Sequence, residues 1–205
     1  MNAPMDITAS PGQVRKSDRT RQTILDAAAK LFREQGYKAT TQRQIASQAK
    51  IKAGSIYYYF ESKDQILDEV LERGIRIVHE SVETAVNALP ANASGRRRIE
   101  SAVATHLHTV LRYNDYASAN IQNIRHVSRE ARDRNRALRR AYWTALFEQA
   151  KQSGEIGQHV DLSIARLFLL GALNWTLDWY DPKQGSTDIL AEKFCTFFFE
   201  GSGRR

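Results

Sequence analysis

Along most of the chain, apolar residues return every three or four positions, the spacing of one helix face. Ile24, Leu25, Ala28, Leu31 and Phe32 form the first stripe, and Gly36 marks its C-terminal stop. Thr41 and Gln44 make a T-x-x-Q capping box that opens a short helix with Ile45, Ala46 and Ala49 facing inward. A turn over 50–54 leads to a third short helix, with Ile56 and Phe60 at i and i+4 as its buried pair. Ser62 and Gln65 repeat the capping box and start a long fourth helix that ends before Pro90.

The helical spacing continues to the end. Helices are predicted over 99–111, with Val103, Leu107, Val110 and Leu111 inward, and over 116–124, 128–153, 162–179 and 187–200. Gly154, Asp181-Pro182 and Gly201 supply the later stops. No segment alternates as a strand does. The fold class is therefore all-α, with about nine helices. Residues 1–16 carry Pro4, Pro11, Gly12 and small polar residues without periodicity, and read as a flexible arm. A three-helix domain over 17–62 and a larger helical domain over 63–205 follow. The last two helices carry more apolar residues than one core-facing stripe needs, so a second face is expected to be buried against another copy of the chain.

Charge sharpens the division. Of the net +7, the first 63 residues hold +6, from eleven Lys and Arg against five Asp and Glu. That imbalance points to an anionic partner for this lobe, nucleic acid first and a membrane surface second. The single cysteine, Cys195, excludes an intrachain disulfide and a cysteine-based zinc finger. There is no signal-peptide pattern and no apolar run long enough to span a bilayer, so a reducing cytoplasm is the expected location. Catalytic signatures are absent: no G-x-S-x-G elbow, P-loop or dinucleotide-binding glycine fingerprint occurs. His106 and His108, two apart, point to different helix faces and make a poor metal pair. No metal or cofactor is expected.

Two short helices joined by a glycine-containing turn, behind a supporting helix, make a helix-turn-helix pattern. Ile56 and Phe60 must pack inward, which turns Ser55, Tyr57 and Tyr58 outward. A tyrosine ring covers a sugar or a thymine methyl, and its hydroxyl reaches a phosphate. Lys52 and Lys63 flank the helix, placed to neutralise phosphates. With Ile24-Leu25-Asp26-Ala27-Ala28, Ile45-Ala46, Gly54-Ser55-Ile56-Tyr57-Tyr58-Tyr59-Phe60, Ser62-Lys63 and Ile66-Leu67, residues 19–67 resemble the TetR family of transcriptional regulators. The resemblance implies a DNA-binding domain, a ligand-binding domain and a two-fold dimer that leaves its operator when a small molecule binds. It carries DNA contact over to Thr41, Arg43, Lys52, Ala53, Ser55, Tyr57, Tyr58, Tyr59 and Lys63. Thr41 also serves as an N-cap, Arg43 suits guanine, and Tyr59 is equally a core residue.

Farther along, Trp175, Trp179-Tyr180 and Pro182 are similar to a W-x-x-x-W-Y-x-P-x-G pattern, although the spacing to Gly185 is one residue long. That pattern belongs to a branch of the family that regulates lipid catabolism and senses acyl-CoA thioesters. There the first tryptophan faces the ligand cavity, which implies Trp175 as a contact and Trp179 less so, although two tryptophans at i and i+4 on one face more commonly pack in a core. Tyr113, Asn120, Asn174 and Arg125 are candidates for the few polar groups an apolar pocket needs. Arginines cluster at 96–98 and from Arg125 to Arg140. They suit CoA phosphates, but interleaved Glu130 and Asp133 read more simply as a solvated helix face. The competing functions are a drug-sensing repressor of an efflux pump and, more remotely, a helical enzyme without a DNA role.

Overall fold

The computed structural model describes residues 11–111, 115–126 and 128–201, with side chains described except at 11–16, 120, 122, 124, 135, 138, 139, 141 and 184. Its described residues form helices and turns and contain no strand. The first helix, α1 (Pro11–Ala39), starts five residues before the end of the expected arm; residues 1–10 lie outside the described part. Its path breaks at Gly36, whose backbone (φ 78°, ψ 162°) lies where a side chain would be strained. Thr40, fully buried, closes this bend by donating its hydroxyl to the Gly36 carbonyl at 2.8 Å.

α2 (Gln42–Gln48) follows behind the expected capping box: the Thr41 hydroxyl accepts from Gln44 N–H, and the Gln44 amide oxygen accepts from Thr41 N–H. Lys50, in the left-handed region at φ 56°, turns the chain towards a 3-10 turn over Ala53–Ser55 and α3 (Ile56–Tyr59). α4 (Lys63–Asn87) begins at the Ser62 cap and runs through both halves of the molecule. Beyond it come α5 (Gly95–Leu111), α6 (Asp115–Asn123), α7 (Arg129–Gln152), α8 (Leu162–Trp179) and α9 (Thr187–Glu200).

Two apolar cores result. The first joins Ile24, Phe32, Ile45, Ile56 and Phe60 to the early part of α4, and takes Tyr116 and Ala119 from α6 and Ala131 from α7. The second packs Val82 and Val86 of α4 against α5, α7, α8 and α9, around Leu107, Phe147 and Leu173. α4 and α6 touch at Gly74, where a Cβ would stand 2.2 Å from the Tyr116 carbonyl oxygen; only a bare backbone allows that approach. Cys195 lies in the second core, where burial above all, then the Glu100 charge, pushes its thiol up to about 12. Among the described residues, no helix is long and apolar enough to cross a membrane.

Candidate functional site

The outer surface of α2 and α3 gathers most of the expected DNA contacts. Thr41, Arg43, Lys52, Ala53 and Ser55 are exposed, and Tyr57 and Tyr58 stand 62% and 80% exposed. The helix that displays them is held by Ile56 and Phe60, both completely enclosed in the first core. Tyr59 turns partly into that core and meets the Tyr58 ring edge-on at 5.0 Å. From Lys38 to Phe60 the chain carries Lys38, Arg43, Lys50 and Lys52 and no carboxylate, so this face is uniformly basic. Lys63 departs from its expected place. Its ammonium donates to the carbonyls of Tyr37 (2.9 Å) and Thr40 (2.8 Å) and sits 4.1 Å from the Tyr37 ring centre. Two of its three donors thus neutralise the carbonyl end of α1 rather than face outward.

The same end of α1 is fastened to the second half of the molecule. The buried amide of Asn123 accepts from Tyr37 N–H at 2.9 Å and donates to the Phe32 carbonyl at 3.2 Å. The Tyr37 hydroxyl donates to Asp64, and burial together with that carboxylate raises the phenol above its ordinary range. A second tie joins α1, α4 and α6. Tyr116 donates to Asp26 and accepts from Gln22, whose carbonyl in turn accepts from Arg73.

A narrow, mostly apolar cavity of about 40 Å³, partly open to the surface, lies where α4, α5, α6, α7 and α8 meet. Ile75, Val78, Val82, Val110, Ile121 and Leu170 supply hydrocarbon, with Gly74 and Ala117 on the side nearest the first core. His79, His106, Tyr142 and Asn174 bring its polar atoms, and among the described residues no carboxylate, lysine or arginine lines it. Burial first, then the charge of Glu83, pushes the Tyr142 phenol up to about 12, so it is neutral at physiological pH.

The sequence matches the bacterial regulatory proteins of the tetR family over residues 24–70, and the tetracyclin repressor-like C-terminal domain over residues 92–202. The chain belongs to the TetR family. It is 27% identical over 187 residues to the HTH-type transcriptional repressor KstR2 of Rhodococcus jostii, covering 88% of this chain and 90% of that protein. With the fatty acid metabolism regulator protein of Bacillus subtilis it shares 24% over 171 residues, covering 82% and 87% of the two. A TetR/AcrR-family transcriptional regulator from Thermobifida fusca superposes with TM-score 0.67 at 32% identity, covering 91% of this chain and all of that one. The structure of AibR in complex with isovaleryl coenzyme A and operator DNA superposes with TM-score 0.77 at 23% identity, over 88% and 98% of the chains. Family and relatives make this a DNA-binding transcription regulator, a TetR-family repressor.

Within this TetR-family fold the expected ligand residues scatter. Asn174 does line the cavity. Trp175 and Trp179 do not: they are 65% and 46% exposed on the outside of α8. The reason is geometric, because Leu169, Leu173 and Thr176 take the core side, and two residues on from Leu173 the helix has turned about 200°. Arg125 is exposed on the turn after α6, outside the cavity wall. Asn120 belongs to α6, its side chain outside the described part, as is Tyr113 altogether. The arginines at 96–98 are occupied locally. Arg96 pairs with Glu100 and Glu200, and Arg98 donates to the carbonyls of Pro90, Ala91 and Ala93. Sequence reasoning missed His79, His106, Tyr142 and Trp143. His106 carried a signal, three residues after Val103 and four before Val110 on the inward face of α5.

Proposed function

We propose that this repressor binds a pseudo-palindromic operator in duplex DNA as a homodimer and is released by a lipophilic acyl-CoA thioester. The DNA half rests on one observation, the pair Tyr57 and Tyr58 held open on a carboxylate-free basic face by a fully buried Ile56 and Phe60. On that reading α3 enters the major groove, Arg43 and the tyrosines reach base edges, and Thr41, Lys52, Ser55 and the third donor of Lys63 meet phosphates. The dimer reading rests on Ile164, Leu167, Phe168, Trp175 and Trp179 of α8 and Ile189 and Phe197 of α9, large apolar side chains exposed on one chain. Two such helix pairs, related by a two-fold axis, would make an isologous four-helix interface.

The effector reading draws on the cavity and on the relatives. A cationic drug needs buried carboxylates beside its aromatic walls, and among the described residues none lines this cavity, which speaks against the efflux-pump alternative. An apolar cavity of about 40 Å³ with a few neutral polar groups suits an acyl chain once the helices around it part. One relative is named a fatty acid metabolism regulator, and one structural neighbour was solved with isovaleryl coenzyme A and operator DNA. An acyl chain that spreads α4 and α6 at Gly74 and Ala117 acts on the helices that hold α1. It then favours a dimer whose recognition helices no longer match the half-site spacing. The deciding experiment is a shift assay on operator DNA footprinted upstream of the protein's own gene, titrated with acyl-CoAs, free fatty acids and cationic dyes. Release by acyl-CoAs is expected; release by the dyes alone would put the efflux-pump reading in its place.

A further inference from the structure

Across the otherwise apolar cavity, His106 on α5 and Asn174 on α8 face one another, His106 Nε2 standing 3.1 Å from Asn174 Oδ1. An amide oxygen only accepts, so the imidazole proton of this pair sits on Nε2. The histidine is itself fixed: it is 6% exposed, and the nearly enclosed Trp143 meets it edge-on at 6.1 Å. With Oδ1 taken by His106, what Asn174 has left to offer the cavity is its amide N–H pair. Neither neighbouring polar group is aimed the same way. The Tyr142 hydroxyl turns to the Val82 carbonyl at 3.4 Å, and His79 lies beside Glu83 at 3.8 Å.

A fixed donor in a hydrocarbon wall selects an uncharged acceptor that itself sits in hydrocarbon. Among the described residues no lysine or arginine lines the cavity to meet a carboxylate, whereas a carbonyl oxygen needs only the one donor. We propose that Asn174 is the carbonyl reader of this regulator. Its Nδ2 donates to the thioester carbonyl of the effector, and His106 acts as a positioning residue that holds the amide in that orientation. The proposal rests on the acyl-CoA reading given above and adds the specificity-determining group.

The test compares an acyl-CoA with the S-alkyl-CoA thioether of equal chain length, which lacks only the carbonyl oxygen. Binding of both to the full-length protein is measured by calorimetry over a series of chain lengths. The wild type is expected to prefer the thioester by roughly tenfold, the worth of one buried hydrogen bond. Asn174→Leu and His106→Phe, with an unchanged helical circular dichroism signal, are expected to bind both compounds alike. Equal wild-type affinity for the two overturns the carbonyl reader while leaving the acyl-CoA reading in place, and needs no variant that might misfold. A preference that survives in Asn174→Leu overturns it as well. If no CoA derivative binds at all, the effector reading itself fails and the reader falls with it.

Discussion

Both α3 and α8 leave aromatic rings in the open, and they do so differently. On α3 the exposed rings are Tyr57 and Tyr58, each ending in a hydroxyl, on a surface with Arg43 and Lys52 and no acid. On α8 they are Phe168, Trp175 and Trp179, continuous with Ile164 and Leu167, and no charged side chain is exposed between Ile164 and Trp175. Exposure alone does not distinguish the two. The edge of each ring does: a hydroxyl beside cations suits a hydrated polyanion, and an unbroken hydrocarbon stripe suits only another such stripe. The backing differs as well. α3 is four residues long and held by the enclosed Ile56 and Phe60, while α8 spans eighteen residues and is seated in the second core through Leu169, Leu170 and Leu173.

This contrast is easiest to break on α3. Replacing Tyr57 and Tyr58 together by Ala should lower operator affinity on the order of 100-fold, at one or more kcal/mol per lost contact. Fluorescence anisotropy reads the loss, and the helical signal and the particle mass should stay as they were. Undiminished affinity removes DNA from the account of α3. Phe168→Glu is the matching change on α8, placing a charge in mid-stripe. Light scattering at micromolar concentration is expected to show a monomer, with a lower melting temperature that no longer depends on protein concentration; a persistent dimer would mean that α8 faces something else.

Gly74→Ala probes the joint between the two regions. The added methyl must displace the Tyr116 backbone, at about 1–3 kcal/mol of overpacking. A fall in melting temperature of roughly 2–4 °C per kcal/mol should follow. The smallest effect is expected from Thr41→Ala, where loss of the N-cap costs about 1 kcal/mol in urea unfolding. Thr41→Ser should restore it. If Thr41 also meets a phosphate, Ala weakens DNA binding beyond the stability loss but leaves its salt dependence unchanged, because a neutral hydroxyl displaces no counterion.

Local signals were legible wherever neighbours in sequence decide the outcome. The Thr41 box forms as read, but at α4 only half of it does: Ser62 accepts from Gln65 N–H, while the Gln65 amide oxygen accepts from Glu61 N–H instead of Ser62 N–H. The bounds of α8 and α9 agree with the spacing of their apolar residues and stops, and Ile56 and Phe60 are buried as a pair. What failed was orientation set by distant packing. A tryptophan on a helix apolar on almost every side has no sequence-level sign of which side meets the core, and Trp175 falls outside. Lys63 reads as a free cation because its partners, the carbonyls of Tyr37 and Thr40, lie more than twenty residues back and carry no side-chain signature. The cavity is assembled from five helices, each giving a few ordinary residues, so no motif announces it.

The lone thiol of Cys195 has a practical consequence. Buried in the second core and pushed up to about 12, it stays protonated, and so unreactive towards thiol reagents, at the pH where this protein would be handled. Every other position is free of cysteine, so the surface is chemically silent to maleimides and nitroxide reagents. One cysteine introduced at Gln48, exposed at the end of α2, would put a single spin label on each copy. Paired labels then form a molecular ruler between the two recognition helices. Pulsed electron resonance could follow that separation as acyl-CoA is added, with the one turn of duplex, about 34 Å, as the distance to leave.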